Sequence, residues 1–127
     1  VFVGGTIAYA NEVKIRELGV DAAVIESQGA VSEAVARAMA TGARLRFGSS
    51  IGIGITGIAG PDGGSAEKPV GTVWVAVDWG GELRAARAVL PGDRGEIRWR
   101  ASQLALDQLR KLYARDEDAT GWTARGS

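Results

Sequence analysis

The chain has 127 residues, enough for one domain with a real core and too few for two. Fifteen basic residues balance fifteen acidic ones, so no net positive field exists to hold nucleic acid or an anionic membrane. Histidine and cysteine are both absent, which excludes disulfides, thiol nucleophiles, imidazole bases and thiolate or imidazole metal sites. No apolar run approaches the roughly 20 residues that span a bilayer, and nothing at the start resembles a signal peptide. A cytoplasmic setting is therefore expected. Chemistry is left to Ser, Thr, Tyr, Lys, Arg and carboxylates.

The pattern opens as a strand over 1–9, with no preceding cap, turn or Met, as though an N-terminal strand and helix were missing. Asn11 is placed to cap a helix over Glu12–Leu18, with Gly19 at its C′ position. The stretch 20–29 predicts a connector with a helical turn at most. Ser32 then caps a longer helix whose stripe Val35, Ala38, Met39, Gly42 and Ala43 consists of small residues. Such a helix lies close against a sheet, with Met39 in the core.

Ile51, Ile53 and Ile55 alternate with Ser50, Gly52 and Gly54, predicting a strand with one branched face and one bare face. Thr56–Ser65 breaks the pattern with a glycine-rich loop. The run 70–78 is apolar on both faces, as in a central strand. Asp78-Trp79-Gly80-Gly81 reads as a hairpin turn, and 82–90, which carries Arg84 and Arg87, as a strand nearer an edge. Asp93 and Glu96 form a D-x-x-E capping box for a last helix with a stripe from Ile97 to Leu112. The expected architecture is a three-layer α/β/α sandwich with a mixed β-sheet over 1–114, followed by a flexible tail over 115–127.

Gly52-Ile-Gly-Ile-Thr-Gly57 satisfies G-x-G-x-x-G, but two of its glycines lie within the strand and a loop follows the third. A dinucleotide site needs a helix there. The Thr56–Ser65 loop is the better candidate. Gly57, Gly60, Gly63 and Gly64 let successive N–H groups turn inward as an anion nest, and Thr56 and Ser65 add hydroxyls. Lys14, near a loop, becomes a base if burial lowers its pKa, and Tyr9 is near enough to orient it. On spacing alone, a solvated Lys and a core-edge Tyr fit as well. Arg94 is a cation at a helix N-terminus, where the dipole disfavours it, so it is a better anion-binding candidate than Arg98 or Arg100.

Several of these strings together resemble the C-terminal domain of competence/damage-inducible protein CinA, the nicotinamide mononucleotide deamidase family. They are Gly5–Lys14 (GTIAYANEVK), Leu18-Gly19-Val20, Gly29–Glu33 (GAVSE), Ile55–Ser65 (ITGIAGPDGGS), Lys68–Trp74 (KPVGTVW) and Gly92-Asp93-Arg94. The resemblance implies an amidohydrolase that converts a pyridine-nucleotide carboxamide to the acid and releases ammonia, without metal or cofactor. It implies a Ser nucleophile with a Lys base, which maps to Lys14, and a Tyr that maps to Tyr9. The Arg maps to Arg94, with Arg98 second. The family's E-S-C-T-G-G segment and a G-S-S string would precede Val1, so the nucleophile is expected upstream and the 127 residues alone are expected to be inactive. The implied partner is a small nucleotide substrate, with neither nucleic acid nor membrane, and self-association into a homo-oligomer is implied. A non-catalytic pyridine-nucleotide-binding or regulatory domain of a larger protein is the alternative.

Overall fold

In a computed structural model, the structure describes residues 2–120, with the side chains of 115–120 left aside. Four helices, α1 (Asn11–Leu18), α2 (Ala22–Gln28), α3 (Glu33–Phe47) and α4 (Arg94–Thr120), accompany three strands, β1 (Ile51–Gly57), β2 (Thr72–Trp79) and β3 (Glu82–Val89). The strand order is β1-β2-β3. Both pairings are antiparallel, with Gly54 opposite Ala76 and Val75 opposite Ala86. The α/β/α layering stands, with α3 on one face of the sheet and α4 on the other. The parallel component of a mixed sheet is not among the described strands.

The central position of β2 follows from its two apolar faces. Val73 and Val75 pack with Ile97, Ala101 and Ala105 of α4. Ala76, on the opposite face, packs with Ala36 and Ala40 of α3. Full burial of each valine contributes about 2 kcal/mol. The bare face of β1 behaves as its glycines suggest. A Cβ on Gly52 would stand 2.0 Å from the Ala40 carbonyl oxygen, and one on Gly54 would stand 2.4 Å from that of Ala36. The helix backbone rests directly on the strand. The buried side of α3 is therefore wider than its predicted stripe, because Ala36 and Ala40 face the sheet while Val35 and Met39 join Leu18 and Val20 outside it.

Capping fixes the helix starts. Ser32 Oγ accepts from the Val35 N–H at 3.3 Å. In the box at α4, Asp93 Oδ1 accepts from the Glu96 N–H at 2.9 Å and Glu96 Oε1 from the Asp93 N–H at 3.0 Å. Three expectations fail. The α1 N-cap is Ala10 rather than Asn11, which falls inside the helix, although Gly19 closes it at φ 68°. The stretch 20–29 contains a true helix, α2, because Asp21 accepts from the Ala23 N–H at 2.9 Å and the turns behind it close. Residues 2–9 form no strand, since they pair with none of the three described strands, and Phe2, Val3, Ile7 and Tyr9 are exposed. Val1 lies outside the described residues. The α4 helix runs past Arg115 to Thr120, into the stretch expected to be tail, and 121–127 lie outside the described residues.

Asp78 is buried on the α3 face of β2. Its carboxylate accepts from Thr41 Oγ1 at 2.6 Å and from the Gly81 N–H at 2.7 Å. Arg44 Nε lies 3.0 Å away, a charge contact whose N–H is poorly aligned for a hydrogen bond. Burial works to raise the Asp78 pKa, but the contacts from Thr41, Gly81 and Arg44 outweigh it and hold the group below 3.8. This cluster ties the β2–β3 turn to α3.

Candidate functional site

A cleft of about 620 Å³ lies over the α4 side of β1, walled by residues 6–9, α1, the loop after β1 and the first turns of α4. Ile53 and Ile55, the branched face of β1, line it together with Ile97 and Ala101. Tyr9, Lys14, Thr56, Gly57, Gly60, Gly63 and Arg94 all reach this one cleft. Gly64 and Ser65 do not line it. Gly64 is backed against the Val70 N–H, and Ser65 turns away to accept from the Lys68 N–H at 3.0 Å.

Lys14 is the unusual member, 5% exposed although it carries an amine. Its Nζ donates to the Ala8 carbonyl at 2.7 Å, and among the described residues no carboxylate pairs with it. Desolvation lowers its pKa from 10.5, so more of it is neutral near physiological pH than for a surface lysine. Lys68, the other early lysine, serves the scaffold instead, since its Nζ donates to the Gln28 carbonyl at 3.0 Å and closes the end of α2.

The loop is anchored at its base, where the Ile58 N–H donates to Thr72 O at 2.9 Å and the Gly71 N–H to Ile58 O at 2.7 Å. Beyond that pair the chain turns back at Gly60 (φ 78°) and Gly63 (φ 97°), both in the left-handed region. At Gly60 space is equally tight, since a Cβ would stand 2.5 Å from Val70 Cγ1. Among the described residues no acceptor pairs with the N–H groups of Gly60 and Gly63.

Two expected donors are occupied. Thr56 Oγ1 gives its proton to the Ala30 carbonyl at 2.7 Å, binding the α2–α3 connector to β1. Arg94 Nη1 donates to the Gly60 carbonyl at 3.0 Å, fastening the loop to α4. Thr6, Asp62 and Ser102 also line the cleft without having been singled out for it, and so does Arg98, which stood second to Arg94. A signal existed, since Arg94, Arg98 and Ser102 recur every four residues beside the buried stripe of α4. Ser102 Oγ donates to the Arg98 carbonyl at 3.1 Å.

A family model, the CinA C-terminal domain, matches residues 1–113. The chain belongs to the CinA C-terminal domain family. It is 71% identical over 125 residues to a CinA-like protein of Gemmatimonas aurantiaca, covering 97% of this chain and 29% of that protein. A CinA-like protein of Mycobacterium tuberculosis is 51% identical over 112 residues, covering 87% of this chain and 26% of that one. The chain thus spans less than a third of the length of these curated relatives. Among solved structures, the competence/damage inducible protein of Agrobacterium tumefaciens is similar with a TM-score of 0.80 and 39% identity, over 84% of this chain and 66% of that one. A CinA superfamily protein of Escherichia coli gives 0.77 and 38%, over 82% and 60%. Among the described residues no helix is long and apolar enough to cross a membrane.

Proposed function

We propose that this CinA domain supplies the general base and the substrate-binding wall of an amidohydrolase that acts on nicotinamide mononucleotide. The carrying observation is Lys14, a buried amine with a lowered pKa on the wall of a cleft also lined by Gly60 and Gly63, whose N–H groups have no acceptor among the described residues. An amine that is neutral more often near pH 7 takes a proton from a hydroxyl more readily than a solvated lysine does. The Ala8 carbonyl, 2.7 Å from Nζ, orients it.

In the proposed reaction a serine hydroxyl from the segment preceding Val1 attacks the carboxamide carbon, and Lys14 accepts its proton. The oxyanion of the tetrahedral intermediate is stabilised by the free N–H groups at Gly60 and Gly63. The C–N bond then breaks, Lys14 returns the proton to the departing nitrogen, and ammonia leaves. Water hydrolyses the acyl-serine to the carboxylic acid, so that nicotinate mononucleotide is the product. Tyr9, on the rim of the cleft, orients the amine or the leaving group. Arg94 acts through the loop that it fastens.

Ammonia release from nicotinamide mononucleotide tests this in the 127-residue chain and in one extended before Val1 by an E-S-x-T-G-G segment. Only the extended protein should turn over. In it, Lys14→Met should lower kcat by about 10²–10⁴-fold with a much smaller change in KM, because a base acts mainly in the transition state. Wild-type turnover by that variant would refute the assignment. Tight mononucleotide binding with no ammonia release from the extended protein would instead favour a binding or regulatory domain.

A further inference from the structure

The outer side of α4 carries an apolar row that the domain itself does not cover. Trp99, Leu106 and Tyr113 are 65%, 53% and 48% exposed, whereas Ile97, Ala101, Ala105 and Leu112 of the same helix are buried. The three are seven residues apart, so two turns of helix bring each nearly above the last, with a drift of about 20° per step. By the helical rotation the buried residues fall on the opposite side. Tyr113 is held by stacking on Trp79, with ring centroids 5.7 Å apart and planes 4° from parallel. The other large apolar side chains exposed on helices and strands, Ile15, Leu45, Ile55 and Val89, lie on four different elements.

A row that repeats every seven residues fits another helix, because paired helices meet every 3.5 residues. The row is also symmetric about its middle: reversing the chain direction at Leu106 exchanges Trp99 with Tyr113. A second copy laid antiparallel therefore sets Leu106 against Leu106 and each Trp99 against a Tyr113, one patch meeting itself about a two-fold axis. Charge points the same way. Residues 94–100 carry three arginines and one glutamate, whereas 112–118 carry three carboxylates and one arginine. About Leu106 these two stretches lie opposite each other, basic on acidic, with the helix dipoles opposed. A parallel pair would set like on like.

We infer that the face of α4 formed by Trp99, Leu106 and Tyr113 seats a second copy of this chain, helix against helix and antiparallel, with Leu106 on the two-fold axis. Three side chains along about 21 Å of helix make a small interface, so the pair is weak and dissociates on dilution. This inference is independent of the amidohydrolase proposal.

Because the chain has no cysteine, introduced thiols read the register directly. Under mild oxidation Leu106→Cys should link to itself, since residues on the axis face each other within the roughly 7 Å between Cα atoms that a disulfide spans. Trp99→Cys and Tyr113→Cys should each stay unlinked alone and link when mixed. In sedimentation the wild-type mass should rise with concentration from 13.2 kDa toward twice that value. Leu106→Glu sets two carboxylates together on the axis and should need at least about tenfold more protein to do so. Ile55→Glu, in the cleft, should associate as wild type does. A thermal melt reads whether Leu106→Glu folds, and the cysteine variants decide the matter without it.

Self-linking of Trp99→Cys or Tyr113→Cys with no mixed product would mean a parallel pair. Absence of a link at Leu106, wild-type association by folded Leu106→Glu, or dissociation by Ile55→Glu alone would mean another surface. A wild type that stays at 13.2 kDa at every concentration would mean that something other than a second copy covers the row. Each of these results overturns the inference.

Discussion

On one face of β1 the backbone of α3 rests on Gly52 and Gly54; on the other, α4 lies over β2 and a cleft opens above Ile53 and Ile55. The same seven residues thus serve two purposes. Where side chains are absent, two backbones meet and leave no space. Where branched side chains stand up, α4 covers them only in part, and the uncovered part becomes a wall of the site. One alternating strand supplies both the rigid seam and the place where a ligand fits.

The contrast can be broken first on the closed side. Gly54→Ala adds only a methyl group, but it would stand 2.4 Å from Ala36 O and 2.8 Å from the Ala40 nitrogen, neither of which can move without shifting α3. A loss of about 3 kcal/mol or more is expected, read as a fall in the urea midpoint. A midpoint within experimental error of wild type would show that the seam is looser than its geometry.

Asp78→Ala should cost about 3 kcal/mol at pH 7, because it leaves the partly buried Arg44 without its counter-charge and breaks the Thr41 and Gly81 bonds. The sign with pH follows from the lowered pKa. Above 3.8 the carboxylate is ionised in both states and its stabilising contribution is complete. As pH falls through the lower folded-state value, the contribution is lost. The gap in stability between wild type and variant should therefore close in acid, which urea titrations at pH 7 and near pH 2 would compare.

Lys14, on the cleft side, gives a slope of the same sign, but at alkaline pH. Its folded-state pKa is lowered below 10.5, so the folded protein holds fewer protons than the unfolded chain between those two values. Stability should rise with pH through that window as the buried charge is relieved. In Lys14→Met that rise should disappear, whatever the change in stability at neutral pH from losing the Ala8 bond. An unchanged alkaline slope would mean that Lys14 is solvated rather than buried. The smallest effect belongs to Ile55→Ala, at 38% exposure, which should cost about 1 kcal/mol or less while enlarging the cleft.

These differences track what a sequence can carry. Close approach of α3 was legible in the alternation of Gly52 and Gly54 with isoleucines, because a glycine within a strand has few other uses. The capping box at Asp93 and Glu96, the Ser32 cap and the two-sided burial of β2 were legible for the same reason: local spacing determines them. The α2 helix was not, since seven residues hold only Val24 and Ile25 as apolar contacts, too few to show a period. Nor does an apolar opening stretch reveal whether a strand lies beside it, so residues 2–9 read as one.

The site was legible in membership but not in direction. The positions of Tyr9, Lys14, Arg94 and the glycine loop led to one cleft, yet Thr56 gives its proton to Ala30 O and Arg94 turns to Gly60 O. Those acceptors are backbone groups 26 and 34 residues away in the chain, and nothing in local pattern points to them. Ser65 and Gly64 were included because they continue the loop, whereas the turn closed by Ser65 and Lys68 carries them off the cleft.

The seam also determines how accurately one atom is placed. Ala36 and Ala40 are about 6 Å apart along the helix axis, and Gly52 and Gly54 are about 6.6 Å apart along the strand, nearly commensurate spacings. Two carbonyls of α3 therefore fit two gaps in β1 like teeth, and a slip of one residue would bring an isoleucine or a bulkier turn into the gap. On α3 the pattern repeats at Gly42, where an added Cβ would stand 1.8 Å from Leu18 O at the end of α1. From β1 to α3 and from α3 to α1, each joint is main chain against main chain, without a flexible side chain to take up slack. The tolerance accumulated along that path is the tolerance with which α1 presents the Lys14 amine to the cleft.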